Sequence, residues 1–181
     1  KSYQNILKII LNNINQVKDI EILDKPVPTP CLSYLSKKYK KTFLIMITAS
    51  HFDRKFNGFK FFLDGKKLQK NYEKKIIDIK NYHKKIKKKK INISYTNKYI
   101  LYEKFINLHF KKISLNKKVL VDFANGSSST LIKKINFFKK VDKINYNYNL
   151  NNINYNCGSN YLKKTSKKLS NKKYDYILAF D

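Results

Sequence analysis

Ile6, Leu7, Ile10, Leu11, Ile14 and Val17 recur three and four residues apart, which predicts an amphipathic helix over residues 3–17. Ile20–Leu23 is a short strand pattern. Pro26, Pro28 and Pro30 each push the preceding residue away from helical dihedrals, so this stretch is expected to run extended. Thr29 is placed to cap a helix that has Pro30 at its first position and Leu32, Leu35 and Tyr39 on its inner face. Phe43–Thr48 is an unbroken apolar run, the pattern of a strand buried on both faces in the middle of an α/β sheet. Leu68, Tyr72, Ile76 and Ile79 mark a further helix, which runs into the lysine block Lys84–Lys90.

The second half repeats the alternation. Ile100, Leu101, Phe105 and Leu108 have helical spacing across residues 97–110, and Lys118–Phe123 is a second buried-strand pattern. The turn signal Asn125-Gly126 follows, then three serines able to cap a helix with Leu131, Ile132, Ile135 and Phe138 on one face. Residues 145–156 are a low-complexity Asn/Tyr/Ile segment, expected to be a loop with a short strand. Ser159 is placed to cap a helix containing Leu162 and Leu169, and Tyr174–Phe180 closes as a strand. Strands alternating with helices predict α/β layers with largely parallel sheets. One such series ends and another begins between residues 94 and 112, so two domains are expected, 1–95 and 96–181. No internal repeat of solenoid or propeller period is present.

Composition changes the picture in one respect. The 181 residues hold 40 Lys+Arg against 12 Asp+Glu, a formal net charge of +28. Such a balance suggests a nucleic-acid or membrane-surface binder. Yet only Arg54 is an arginine, whereas base and phosphate readout favours the arginine fork. Lys, Asn, Ile, Tyr and Phe, whose codons are A/T-rich, dominate, while Ala, Gly, Pro and Arg are scarce. An A/T-biased genome would yield this composition whatever the protein does, so the charge is read as drift and no specific nucleic-acid partner is expected. The longest uncharged apolar run, Phe43–Ala49, is too short to span a bilayer. Cys31 and Cys157 make no disulfide framework and lack metal-ligand spacing; they are expected to be small core residues in a cytoplasmic protein. The chain opens without Met and stops directly after an apolar run, so both ends are expected to be cut.

The strongest candidate for chemistry is Thr48-Ala49-Ser50-His51, directly after the Phe43–Thr48 run. Ligands of open α/β sheets bind at the carboxyl ends of central strands. A serine there, beside an imidazole, is a candidate nucleophile, although spacing alone favours a turn-capping serine.

The stretch IMITASHFDRKFNGFKFFLDGKKL resembles the active-site loop of the α-D-phosphohexomutase superfamily, above all its phosphoglucosamine mutase family, where the loop runs roughly SASHNP, then NGIKFF, then KL. PVPTPCLSYLSKKYK resembles that family's PMPTPA segment, VLVDFANGSSS its VVDCANGA strand and turn, and the stretch from INYNCGSNYL to YDYILAFD its approach to a DGDGDR loop. The four segments follow the family's order and spacing along the whole chain.

The resemblance implies two three-layer α/β/α phosphohexomutase-type domains with mixed, largely parallel sheets, both incomplete. It implies that Ser50 is a phosphoserine that passes its phosphoryl group to a phosphosugar, forms a bisphosphate, and recovers a phosphoryl group from the reoriented intermediate. Phosphoryl transfer depends on positioning and charge neutralisation. The family supplies Mg²⁺, held by the phosphoserine and the three aspartates of DGDGDR, of which only the first, Asp181, is in this sequence. Lys60 becomes a phosphate contact and a candidate for proton transfer. His51 shapes the loop and its charge, and Asn57 and Gly58 are expected to turn the chain so that Lys60 returns to the serine. The segments implied to lie outside this sequence include an opening strand and the sugar-reading loops, so the chain alone is expected to be inactive. A phosphomannomutase or phosphoglucomutase is the near alternative, and a basic nucleic-acid-binding module the distant one.

One departure stands out. Phe52-Asp53 replaces the family's Asn-Pro, removing a fixed φ and placing a carboxylate beside the serine, where Arg54 and Lys55 can offset it. His83 and His109 read as solvated, and Lys84–Lys90 as a solvated helix end. Asn125-Gly126 is a common turn and a weak phosphate cradle.

Overall fold

The computed structural model describes residues 2–14, 17–48, 56–78, 90–111, 114–149, 151–169 and 172–181. Ser50, His51, the Phe52-Asp53 departure with Arg54 and Lys55, His83 and the lysines from 84 to 89 lie outside the described residues.

The chain is α/β with mixed, mostly parallel sheets. Helix α1 (Ser2–Asn13) precedes strand β1 (Asp19–Leu23), which pairs in parallel with β5 (Asn92–Thr96). Between them lie α2 (Thr29–Lys38), the antiparallel strands β2 (Leu44–Thr48), β3 (Gly58–Leu63) and β4 (Lys66–Lys67), and α3 (Lys70–Asp78). Helix α4 (Tyr99–His109) leads to the third sheet among the described residues. In that sheet β6 (Val119–Asp122) is flanked in parallel by β7 (Asp142–Ile144) and β8 (Tyr176–Ala179), with α5 (Leu162–Lys168) before the last strand.

Two apolar clusters hold these sheets. Val27, Cys31, Leu32, Leu35 and Phe62 form the first, with Leu44, Met46, Tyr99 and Tyr102 packed on it. Val119, Val121, Phe123 and Val141 form the second, with Leu115, Ile132, Phe137 and Phe138 around them. Helix α4 therefore packs on the first cluster through Tyr99 and Tyr102. Its Glu103, only 6% exposed, receives Lys25 Nζ at 2.9 Å, which also lies 3.9 Å from the centre of the Tyr99 ring. A carboxylate buried this far needs such a partner.

Five local expectations are corrected. Helix α1 ends at Asn13, leaving Val17 outside it. Pro28, with φ −70° and ψ 154°, holds the N-cap position of α2 without a side-chain cap, so Thr29 is the first residue of the helix and its hydroxyl is turned elsewhere. Strand β2 is half-buried, because among the described residues it pairs only with β3: Leu44 and Met46 face the core, while Phe43 is 47% exposed. Phe43, Phe61 and Phe59 stack along the outer face of this hairpin, with centroid separations of 5.6 and 6.1 Å, so some aromatic side chains expected on buried faces meet solvent.

The fourth correction concerns residues 127–140. The apolar spacing predicts one helix; the chain makes two short 3₁₀ turns, Ser127–Leu131 and Asn136–Lys140, broken at Ile135, where φ is −98° and ψ 115°. Leu131 and Ile135 are still buried, so the apolar period reports burial correctly and the backbone type incorrectly. The serines contribute no side-chain cap; Gly126 stands at the N-cap. Ser159 likewise opens a 3₁₀ turn, Ser159–Tyr161, and Gly158 rather than Ser159 precedes it.

Candidate active site

Thr48 and Gly58 are register partners at one end of the β2–β3 hairpin, and Ser50 lies in the connection between them. A Cβ on Gly58 would stand 3.2 Å from the Thr48 carbonyl oxygen, a tight approach that favours glycine. Gly58 is thus a strand residue and not part of a turn, a correction to the expected Asn57-Gly58 turn. Lys60 comes two residues later, opposite Met46. Alternation along β3 puts it on the same face as Phe62, towards α2.

There the displaced Thr29 hydroxyl meets it. Lys60 Nζ donates to Thr29 Oγ1 at 3.4 Å, and Thr29 Oγ1 donates in turn to Met46 Sδ at 3.4 Å. Three elements, α2, β2 and β3, therefore converge on the ammonium group. Prolines at 28 and 30 bracket Thr29 and restrict its backbone.

Asp181 follows β8. The Phe180 N–H donates to the Asp122 carbonyl at 2.8 Å and the Phe180 carbonyl accepts from the Ser159 N–H at 2.9 Å, so the residue before Asp181 is held on both sides. A Cβ added to Gly126 would stand 3.5 Å from the Asp181 backbone oxygen.

Asp122, which the sequence reading passed over, organises this end of the sheet. It is 0% exposed, and its carboxylate accepts the Ala124 N–H at 2.9 Å, Asn145 Nδ2 at 3.1 Å and the Gly158 N–H at 2.9 Å. The turn it anchors has positive φ at Ala124 (53°) and Asn125 (52°), while Gly126 sits at −88°, so the left-handed residues are not where an Asn-Gly signal puts them. Gly158, at φ +77°, is obligatory: a Cβ there would stand 2.7 Å from Ala124 Cβ. The available signal was an acid closing an otherwise apolar strand, Val119-Leu120-Val121-Asp122, where only a fully hydrogen-bonded carboxylate is tolerated.

Thr48 and Asn57, which flank the Ser50 connection, line one cleft together with Lys60, Thr29, Ser127 and Asp181; its volume is about 1870 Å³. Residues from both halves of the chain thus face a common space. Among the described residues no group of three or more His, Cys, Asp or Glu side chains could hold a metal ion. Asp181 alone is not a cation cage, since Mg²⁺ needs a near-octahedral set of oxygens.

The cysteines take no part. Cys31 is 0% exposed and burial, reinforced by the Glu103 charge and opposed by Lys25, pushes its thiol up to about 12. Cys157 is raised chiefly by burial and further by Asp122. Neither is a thiolate nucleophile at neutral pH. His109 is exposed, its Nδ1 2.9 Å from the Phe105 carbonyl oxygen. No helix among the described residues is long and apolar enough to cross a membrane.

Residues 3–87 match the phosphoglucomutase/phosphomannomutase family in its alpha/beta/alpha domain I. The stretch 3–87 belongs to this phosphohexomutase family. Along most of its length it is similar to phosphoglucosamine mutases: that of Clostridium kluyveri (strain ATCC 8527) is 34% identical over 175 residues, covering 86% of this chain and 37% of the relative. That of Prochlorococcus marinus (strain MIT 9312) is 32% identical over 163 residues, covering 85% and 36%, and that of Thermoanaerobacter sp. (strain X514) 30% over 172, covering 86% and 36%. The chain spans little more than a third of the length of the curated relatives it matches.

Proposed function

We propose that this chain carries the phosphoryl-transfer region of a phosphohexomutase that interconverts glucosamine 6-phosphate and glucosamine 1-phosphate, with Ser50 as the phosphoryl carrier. The observation supporting this most directly is the shared cleft, which Thr48, Asn57 and Lys60 line from the β2–β3 hairpin and Asp181 from the end of β8. Two domains, 1–95 and 96–181, would then face each other across it, with α4 touching both. A cytoplasmic setting goes with a phosphosugar substrate.

In this reading a sugar hydroxyl attacks the phosphorus of phospho-Ser50 and gives up its proton; the bond from phosphorus to Ser50 Oγ breaks, and that oxygen takes up a proton, so the proton count is unchanged. The bisphosphate turns over, Ser50 Oγ gives up its proton and attacks the other phosphoryl group, and the bond from phosphorus to the sugar oxygen breaks as that oxygen takes up a proton. Lys60 offsets phosphate charge and hands a proton to the departing serine oxygen. His51 shapes the loop around Ser50. Mg²⁺, when bound, would neutralise charge on the transferring group through the Ser50 phosphate and Asp181. The described carboxylates do not complete a magnesium site.

Amino-sugar specificity rests on the names of the relatives; the neighbouring reading is a phosphomannomutase or phosphoglucomutase. Incubating the full-length protein separately with glucosamine, glucose and mannose 1,6-bisphosphates, then locating phosphate by mass spectrometry, tests both. Phosphate is expected on Ser50, most with the glucosamine compound, and absent from Ser50→Ala. Phosphate on another residue, or undiminished turnover of Ser50→Ala, removes the reading.

A further inference from the structure

The break in residues 127–140 leaves two backbone groups without helical partners, the Lys134 carbonyl and the Asn136 N–H, on either side of Ile135. One side chain on another element takes both. Asn107 Nδ2 donates to the Lys134 carbonyl at 2.7 Å, and the Asn136 N–H donates to Asn107 Oδ1 at 2.8 Å. An amide presents a donor and an acceptor side by side, which the cationic and anionic side chains cannot do.

Asn107 belongs to the last turn of α4, whose Tyr99 and Tyr102 pack on the first core, while the segment it grips carries Leu131 and Ile135 in the second unit, 3% and 2% exposed. Both ends of the connection are therefore seated in packed interiors. A second link runs from Thr130 Oγ1, which donates to the Pro26 carbonyl at 3.1 Å. Pro26 begins the stretch that carries Thr29 and its contact to Lys60. On the other side, Thr130 belongs to the 3₁₀ turn that starts after Gly126, beside the Asp181 backbone.

We infer that Asn107 is a clamp between α4, which packs on the core of the unit carrying Lys60, and the segment at residues 134–136 of the unit carrying Asp181: through α4 it sets the angle at which the two face each other, and so acts as a positioning residue for the two-sided site. This deepens the reading given above and rests on it for its consequence, but the clamp itself is a geometric statement that needs no chemistry to test.

The test is a distance between the units in the full chain, measured by electron–electron spin resonance between labels on Lys66→Cys and Lys163→Cys, both exposed positions. Cys31 and Cys157 are buried and should not be labelled. One narrow distribution is expected with Asn107 intact. Asn107→Ala should lose it, giving a broad distribution with both cores still folded by native circular dichroism. Asn107→Asp keeps the acceptor for Asn136 but sets a carboxylate against the Lys134 carbonyl, and should broaden it too. Asn107→Gln keeps both groups on a longer arm and should shift the mean distance; it stands in if Asn107→Ala fails to fold. In catalysis, Asn107→Ala should lower kcat up to about 10²-fold at nearly unchanged KM, since misplacement by about 1 Å costs that much. A distribution unchanged in Asn107→Ala, or in Asn107→Gln when that variant stands in, overturns the clamp even if Ser50 is phosphorylated. Conversely, absence of Ser50 phosphorylation with an intact distance response removes the catalytic reading and leaves the clamp standing.

Discussion

The carboxylate of Asp122 accepts the Gly158 N–H at 2.9 Å across 36 positions of sequence, tying the end of the central strand to the segment just before α5. With the Ala124 N–H and Asn145 Nδ2 on the other oxygen, the buried charge is satisfied by three donors, and the Phe180–Asp181 end of β8 is held beside it through backbone bonds.

Asp122→Asn should therefore be destabilising. One oxygen is replaced by an NH₂ group that must face an N–H donor, leaving a buried donor unpaired at a cost of about 1–3 kcal/mol. Gly158→Ala combines a positive φ with a 2.7 Å clash against Ala124 and should cost at least about 1–3 kcal/mol. Urea unfolding, with the midpoint shifted and the slope unchanged, checks both. A neutral Asp122→Asn would contradict the hydrogen-bond assignment.

Lys60→Ala should reduce phosphoryl transfer by about 10²–10⁴-fold, the usual range for a general acid. Lys60→Arg should restore phosphate affinity better than kcat, since a guanidinium stays protonated. Thr29→Val, which removes the hydroxyl that receives Lys60, should show the same kind of defect at smaller size. Steady-state kinetics decide this, and near-normal turnover in Lys60→Ala would exclude a role at the phosphate.

Cys31 makes a pH-dependent contribution. Its thiol is held at about 12 in the fold against 9.0 for the ordinary group, so the neutral form is favoured by folding. The associated stability is fully present below pH 9 and is lost as pH rises towards 12, because the unfolded chain releases the proton first. Between pH 8 and pH 10.5 the loss from this group is about 2 kcal/mol. Cys31→Ala should show a correspondingly smaller fall in stability over that interval, though a lower stability at pH 8 from the cavity. Rapid reaction of native Cys31 with a thiol reagent at pH 8 would contradict the burial.

With a net charge of +28 the protein should bind single-stranded DNA weakly and without sequence preference. Counterion release makes such binding collapse between about 50 and about 200 mM salt. Fluorescence anisotropy with two unrelated oligonucleotides checks this; tight, selective binding at physiological salt would favour a nucleic-acid module instead.

What the sequence determined by itself is local. Helical spacing placed α2 and α4, the apolar runs placed β2, β6 and β8, and the phosphohexomutase resemblance singled out Ser50, Lys60 and Asp181 because those motifs are short and contiguous. Tertiary structure decided whatever depends on partners. Phe43–Thr48 and Lys118–Phe123 look alike as sequence, yet Val119–Asp122 is buried throughout between two neighbours whereas β2, paired on one side among the described residues, is half-exposed, since strand burial depends on flanking strands. The Leu131–Phe138 spacing predicts a helix, but the chain breaks at Ile135, where Asn107 from a distant helix completes the hydrogen bonds that a helix would have supplied. Thr29 carries the sequence signature of a cap, and Pro28 takes that position, so its hydroxyl serves Lys60 instead. Asp122 is unremarkable in a strand pattern until Gly158 and Asn145 are brought to it. Sequence periodicity encodes which face of an element is apolar; which groups meet across that face is set by contacts between residues far apart in the chain, and no local pattern contains them.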